Sequence, residues 1–284
     1  MAHNGGVETQ LVPVAPGVEL AADLWGRQEA GRPVFVLVHG LASNARLWDG
    51  VAEALVERGY AAVTVDQRGH GRSSKPDDPY DVPTVAADLA ALIGPGGLAL
   101  DRPVIAGQSW GGNVVLELAH RHPELVRGVA CVDGGWFEPG TAFPSWEACE
   151  ARLAPPRLKG RPFTEMEGWI RRAHPDWPEA GIRGSLANFE VRGDGTIAPW
   201  LTYERHIRVL RGMFDHRPTA IYPGVRVPVL LLPAQADDPR AAGALAELPN
   251  ARLRPIIGDH DIHAQHPDEV ADVLVKMVTD GFFA

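Results

Sequence analysis

Cysteine is scarce in this sequence: among 284 residues there are only Cys131 and Cys149. Two thiols do not make a disulfide framework. Cys131 stands in an apolar run as a small core residue, and Cys149 in a polar helical stretch. Long apolar runs are lacking too. No charge-free stretch approaches the roughly 20 residues that span a bilayer, so no membrane segment is expected. Residues 1–6 read Met-Ala-His-Asn-Gly-Gly, with neither a basic region nor an apolar one, so they are not a secretory leader and a cytoplasmic location is expected. Positive charge is in deficit: 27 Lys+Arg face 36 Asp+Glu, a net charge of −9. Nucleic acid is therefore not an expected partner, because binding it takes a concentrated basic surface that displaces phosphate counterions. The expected partner is a small molecule.

What is present suits a sizeable core. Hydrophobic residues make up 45% and charged residues 22%, ordinary for a globular protein. Short β-rich runs alternate with helical patterns, which predicts a mostly parallel sheet covered by helices, an α/β fold. Val34 to Val38 is a continuous apolar run, as in a strand buried on both faces. A helix is expected from about Leu47 to Arg58, with Gly59 as its C-cap. Further strands are expected at Ala61–Val65, Pro103–Ala106, Val126–Val132, Val227–Leu232 and near Leu253–Ile257. Helices are expected at Val82–Ile93, Asn113–Arg121 and about Asp268–Thr279. Between these the rhythm breaks. Residues 135–222 are rich in Trp, Pro and Arg, carry a charge balance of +1 against −10 for the remainder, and hold a turn at Gly193-Asp194-Gly195. The expected organisation is a core of 1–134 and 223–284 with a helical cap at 135–222.

The sharpest motif is Gly107-Gln108-Ser109-Trp110-Gly111, a G-x-S-x-G sequence between an expected strand and an expected helix. So tight a turn strains the serine backbone and needs neighbours without bulky side chains, which Gly107 and Gly111 supply. The hydroxyl is then held above the strand ends, where the positive end of the following helix favours developing negative charge. His39-Gly40-Leu41 follows the earlier buried strand and would lie beside the elbow. The N–H groups of Leu41 and Trp110 are the candidate oxyanion donors, while His39 is expected to bond loop backbone.

Together with these motifs, Trp48, Asp66-Gln67-Arg68-Gly69-His70-Gly71-Arg72-Ser73, Val227–Leu232 and Gly258-Asp259-His260 resemble the α/β-hydrolase fold family in order and spacing. The resemblance implies a structural role for Asp66 and His70, and a cap at the insertion. It also implies a Ser-acid-His order along the chain. Asp237 stands where the family usually has its acid, although the segment reads Ala234-Gln235-Ala236-Asp237 rather than G-E-x-D. Asp133 and Asp238 remain alternatives. His260, seven residues before Pro267, matches the family's base, with His263 as the alternative. A metal site at His260, His263 and His266 is not expected, since no H-E-x-x-H motif accompanies them.

The expectation is thus a cofactor-free serine hydrolase that cleaves an ester, lactone or thioester through Ser109, Asp237 and His260. Five of eight tryptophans lie in the insertion, so an apolar or aromatic substrate is expected, with Trp110 and Trp136 as binding residues. The resemblance leaves two other outcomes open. One is a C–C hydrolase or cofactor-free lyase on the same fold; the other is a non-catalytic ligand receptor. The serine at the elbow argues against dehalogenase or epoxide-hydrolase chemistry, which needs an aspartate there.

Overall fold

The computed structural model describes residues 7–284; residues 1–6, read above as lacking a leader, lie outside the described residues. Eight strands form one sheet in the order β1-β2-β4-β3-β5-β6-β9-β10. Their ranges are β1 Glu8–Ala15, β2 Val18–Trp25, β3 Phe35–Val38, β4 Ala62–Asp66, β5 Val104–Gln108, β6 Gly128–Val132, β9 Val229–Leu232 and β10 Ala251–Leu253. β1 and β2 run antiparallel to each other and β2 to β4; every other pairing is parallel. Between β6 and β9 lies a separate two-stranded ribbon, β7 Phe189–Val191 with β8 Ile197–Pro199.

The helices are α1 Asp49–Glu57, α2 Val82–Ile93, α3 Trp110–Arg121, α4 Pro139–Ala142, α5 Trp146–Leu153, α6 Phe163–Ala173, α7 Glu179–Leu186, α8 Tyr203–Asp215, α9 Pro218–Ile221, α10 Pro239–Glu247, α11 Ile262–Gln265 and α12 Pro267–Thr279. Alternation explains the continuous apolar strands. Val36, Val38, Ile105, Val129, Cys131, Val229 and Leu231 face one core cluster with α2 and α3. Phe35, Leu37, Val104, Ala106, Ala130, Val132, Leu230 and Leu232 face the other, with α1 and α12. A strand with helices on both sides has no polar face to show.

Six helices and the ribbon fill the stretch between β6 and β9. Its two ends are tied together where the Tyr222 hydroxyl donates to the Gly135 carbonyl at 2.7 Å. A third apolar cluster joins Met166, Ile170, Trp177, Ile182 and Ile197 of this stretch to Leu47 and Ala264. Both cysteines are free and buried, Cys149 within α5.

Three elements differ from expectation. The β1–β2 hairpin at the sheet edge had no clear signal. α10 has no counterpart among the expected helices, although Asp238 caps it by accepting from the Arg240 N–H and Pro239 begins it. β10 stops at Leu253 instead of running to Ile257, because Pro255 has no N–H for the ladder and Ile257 is 64% exposed. Among the described residues no helix is long and apolar enough to cross a membrane.

Candidate active site

Ser109 sits between β5 and α3 at φ 52° and ψ −118°, a backbone conformation that L-residues rarely adopt. Close packing holds it there. Its N–H donates to the Val132 carbonyl at 3.0 Å, and the Gly112 N–H donates to the Ser109 carbonyl at 2.9 Å. A Cβ on Gly107 would come within 2.2 Å of the Gly111 carbonyl oxygen, and one on Gly134 within 2.2 Å of that of Ser109. Backbone therefore closes on backbone at positions where only glycine fits.

On the neighbouring strand, Asp133 follows β6 at φ 41°. One carboxylate oxygen accepts the Ala234 N–H at 2.9 Å, and the other lies 2.6 Å from His260 Nδ1. His260 stands on the loop between β10 and α11, and its carbonyl accepts from Gln108 Nε2 at 3.1 Å, which ties this loop to the elbow. Burial alone would depress the imidazole pKa, but the Asp133 bond and the charges of Asp261 and Asp133 more than offset it, so the value is raised. With Nδ1 on Asp133, Nε2 is the nitrogen left for a proton from Ser109.

Asp237, expected as the acid, is not brought to His260. It is exposed on the loop after β9. That loop turns so that the Ala234 amide meets Asp133, while Asp238 caps α10, pairs with Arg240 and accepts from Trp136 Nε1 at 3.2 Å. The carboxylate in contact with His260 is Asp133, and the register of β6 beside β5 and β9 puts it there. His263, the alternative base, is fully buried, packs 4.3 Å from the Trp48 ring and is pushed down to about 3 by burial.

Ser109, His260 and Asp133 line one cavity of about 360 Å³ with Leu41, Trp110 and Trp136. Phe137, Leu153, Leu210 and Met213 make much of the rest of its wall apolar. Asn113, His206 and Arg240 also face it. Asn113 lies four residues after Ser109, one helical turn down α3, and that spacing could have flagged it. No local signal marks His206 or Arg240. Of the other insertion tryptophans, Trp177 packs in the third cluster and Trp169 is 58% exposed.

The remaining motif residues hold loops. His39 Nδ1 lies 2.7 Å from the Gly40 carbonyl and its Nε2 accepts the Gln67 N–H at 3.0 Å, so both ring nitrogens are engaged with backbone. His70 Nδ1 lies 2.9 Å from the Arg68 carbonyl. Asp66 accepts the Ala45 N–H at 2.8 Å and pairs with Arg72 at 3.0 Å.

Comparison with known proteins identifies the family and the fold. A family model described as the alpha/beta hydrolase fold matches residues 33–176. The 2-(acetamidomethylene)succinate hydrolase of Mesorhizobium japonicum is 27% identical over 261 residues, 89% of each chain. A putative carbamate hydrolase, RutD, of Caulobacter segnis is 37% identical over a shorter stretch of 119 residues, 41% of this chain and 43% of that one. Among solved structures, E-2-(acetamidomethylene)succinate hydrolase superposes with a TM-score of 0.76 at 21% identity, covering 96% of this chain and all (100%) of that one. At such identity the superposition speaks for the fold alone.

Proposed function

This chain belongs to the alpha/beta hydrolase fold family and is a hydrolase of that kind; on that premise we propose that Ser109, His260 and Asp133 form a nucleophile–base–acid triad that hydrolyses an ester, lactone or thioester. The observation that carries this reading is the 2.6 Å contact of His260 Nδ1 with Asp133, beside a serine held at φ 52°. A hydroxyl is a weak nucleophile until a base takes its proton, and the base needs a carboxylate to fix its tautomer and stabilise its charge.

In this mechanism His260 Nε2 takes the Ser109 proton while Oγ attacks the carbonyl carbon. The oxyanion that forms accepts from the N–H groups of Leu41 and Trp110. The bond to the leaving group then breaks, and His260 returns the proton to the departing oxygen or sulfur. Water, deprotonated by His260, attacks the acyl-enzyme and releases the acid, and Ser109 regains its proton. Residues 135–222 serve as the lid, since Trp136, Phe137, Leu153, Leu210 and Met213 cover the cavity with apolar surface that suits an apolar or aromatic group.

A second reading, amide-type hydrolysis by the same triad, is favoured by the full-length similarity to a protein named 2-(acetamidomethylene)succinate hydrolase. The test is fluorophosphonate labelling read by intact mass. Wild type takes one adduct and Ser109→Ala takes none; a folded wild type that stays unlabelled overturns the triad. Parallel turnover of p-nitrophenyl esters, thioesters, lactones and N-acyl enamides separates the two readings.

A further inference from the structure

A second and larger cavity, of about 680 Å³, lies beside the one at Ser109. The two adjoin at two places: Leu41 lines the first and its neighbour Ala42 the second, and His206 lines both. The wall of the larger cavity carries Lys75, Arg157, Lys159, Arg192 and Arg205 against Glu190 and Glu204, within a chain whose net charge is −9. A concave wall with an excess of one sign, here five cations against two carboxylates, focuses potential and gathers the opposite charge.

Arg205 already has partners, the Pro76 carbonyl at 3.2 Å and Asp77 at 3.4 Å. The other four cations take part in none of the ion pairs among the described residues. Lys75 is half-buried and donates to the Gly71 and Ser73 carbonyls at 2.7 and 3.0 Å, which leaves one of its three N–H groups unspent. It lies 5.3 Å from the centre of the Trp200 ring, and the Arg157 guanidinium 4.0 Å from that of Tyr203. Burial lowers the Lys75 pKa, a strain that an anion beside it would relieve. His206, pushed down to about 4 by burial, is neutral at pH 7 and adds no charge to the partition.

We propose that this cavity binds an anionic arm, a carboxylate or phosphate, of the acyl substrate whose carbonyl is attacked by Ser109. The volume lies within the range of about 300–1,000 Å³ typical of small-molecule sites. Lys75 is the inner anchor, and Arg157 and Lys159 form the rim. The substrate's place at Ser109 rests on the triad reading above; the charge preference of the second cavity does not.

The test compares p-nitrophenyl hydrogen pimelate with its methyl ester. Wild type should favour the free acid by about tenfold in kcat/KM, carried by KM and weakening as salt is raised. Lys75→Gln, and separately Arg157→Ala with Lys159→Ala, should cut that preference about threefold or more while changing the neutral ester by less than about twofold. Equal turnover of the two esters by wild type, or an undiminished preference in both variants, overturns the proposal. If neither ester turns over and the fluorophosphonate leaves Ser109 unlabelled, the triad reading has failed, and calorimetry then decides the cavity by itself. Binding heat for pimelate or hexyl phosphate that weakens in the variants sustains the proposal and tells carboxylate from phosphate. No heat from either ligand in wild type overturns it.

Discussion

The strained Ser109 and the His260–Asp133 pair line the same cavity. The serine's φ of 52° turns its side chain into the cavity, and Asp133, itself at φ 41°, turns a carboxylate to His260. The two strained residues stand at the ends of adjacent strands, β5 and β6. The triad reading predicts that Asp133→Asn lowers kcat by about 10³- to 10⁴-fold through the wrong imidazole tautomer. Asp237→Asn should stay within about twofold, since its side chain is exposed and apart from the base. Steady-state kinetics on one p-nitrophenyl ester checks both, and a large loss in Asp237→Asn would return the acid to the loop after β9. Because a base must be neutral to act, kcat/KM should rise with pH through an apparent pKa above the ordinary imidazole value of about 6.5. A rising limb centred below that value would contradict the Asp133 contact.

Among the elements, the elbow depends on packing that tolerates no side chain. In Gly134→Ala the new Cβ would fall 2.5 Å from Ser109 Cα, so β6, the elbow or both must shift. Loss of nearly all activity and of about 2–4 kcal/mol of stability is expected, read from esterase rate and urea unfolding. Gly193→Ala, in the turn of the β7–β8 ribbon with nothing within 4 Å of the added Cβ, is the control and should unfold like wild type. The central strands and helices were legible for a physical reason. A strand covered on both faces must be apolar throughout, as in Val34–Val38, and an elbow this tight must carry glycines, as at Gly107 and Gly111. β10 was misplaced because Pro255 weighs against ladder pairing while Ile256 and Ile257 look β-rich. The edge strand β1 has one face open and only a weak pattern; Leu11 is 58% exposed.

For the whole molecule, the stretch between β6 and β9 is fastened to the core by polar contacts as well as by its apolar cluster. His216, just after α8, lies 3.1 Å from Glu117 of α3, which is 2% exposed and also takes Arg121. Burial pushes the Glu117 carboxyl up, but its bonds to His216 and Arg121 more than offset this, and its pKa is lowered. A depressed carboxyl stabilises the fold fully above its unfolded pKa, and that contribution is lost as pH falls through the lower folded value. Glu117→Gln should therefore lose about 1–3 kcal/mol at pH 7, with the gap to wild type narrowing at acid pH. Urea unfolding across that range checks it, and a gap that widens towards acid would show the carboxyl is not held ionised.

The sequence by itself determined the α/β fold and the serine at the elbow, and with the family resemblance it pointed to loop roles for His39 and Asp66 and to His260 ahead of His263. Each of these is written in neighbouring residues: apolar runs, glycine spacing, a motif of eight residues. The acid was a different kind of question. Asp133 and Asp237 both follow a sheet strand, and no local pattern says which carboxylate turns towards His260. That depends on the lateral order β5-β6-β9, on the backbone angle at Asp133, and on a loop that spends Asp238 as a helix cap and leaves Asp237 in water. The cation-lined cavity was equally hidden, because Lys75 lies between β4 and α2 while Arg157, Lys159 and Arg192 lie in the stretch between β6 and β9. Only folding brings charges 80 to 120 residues apart onto one wall.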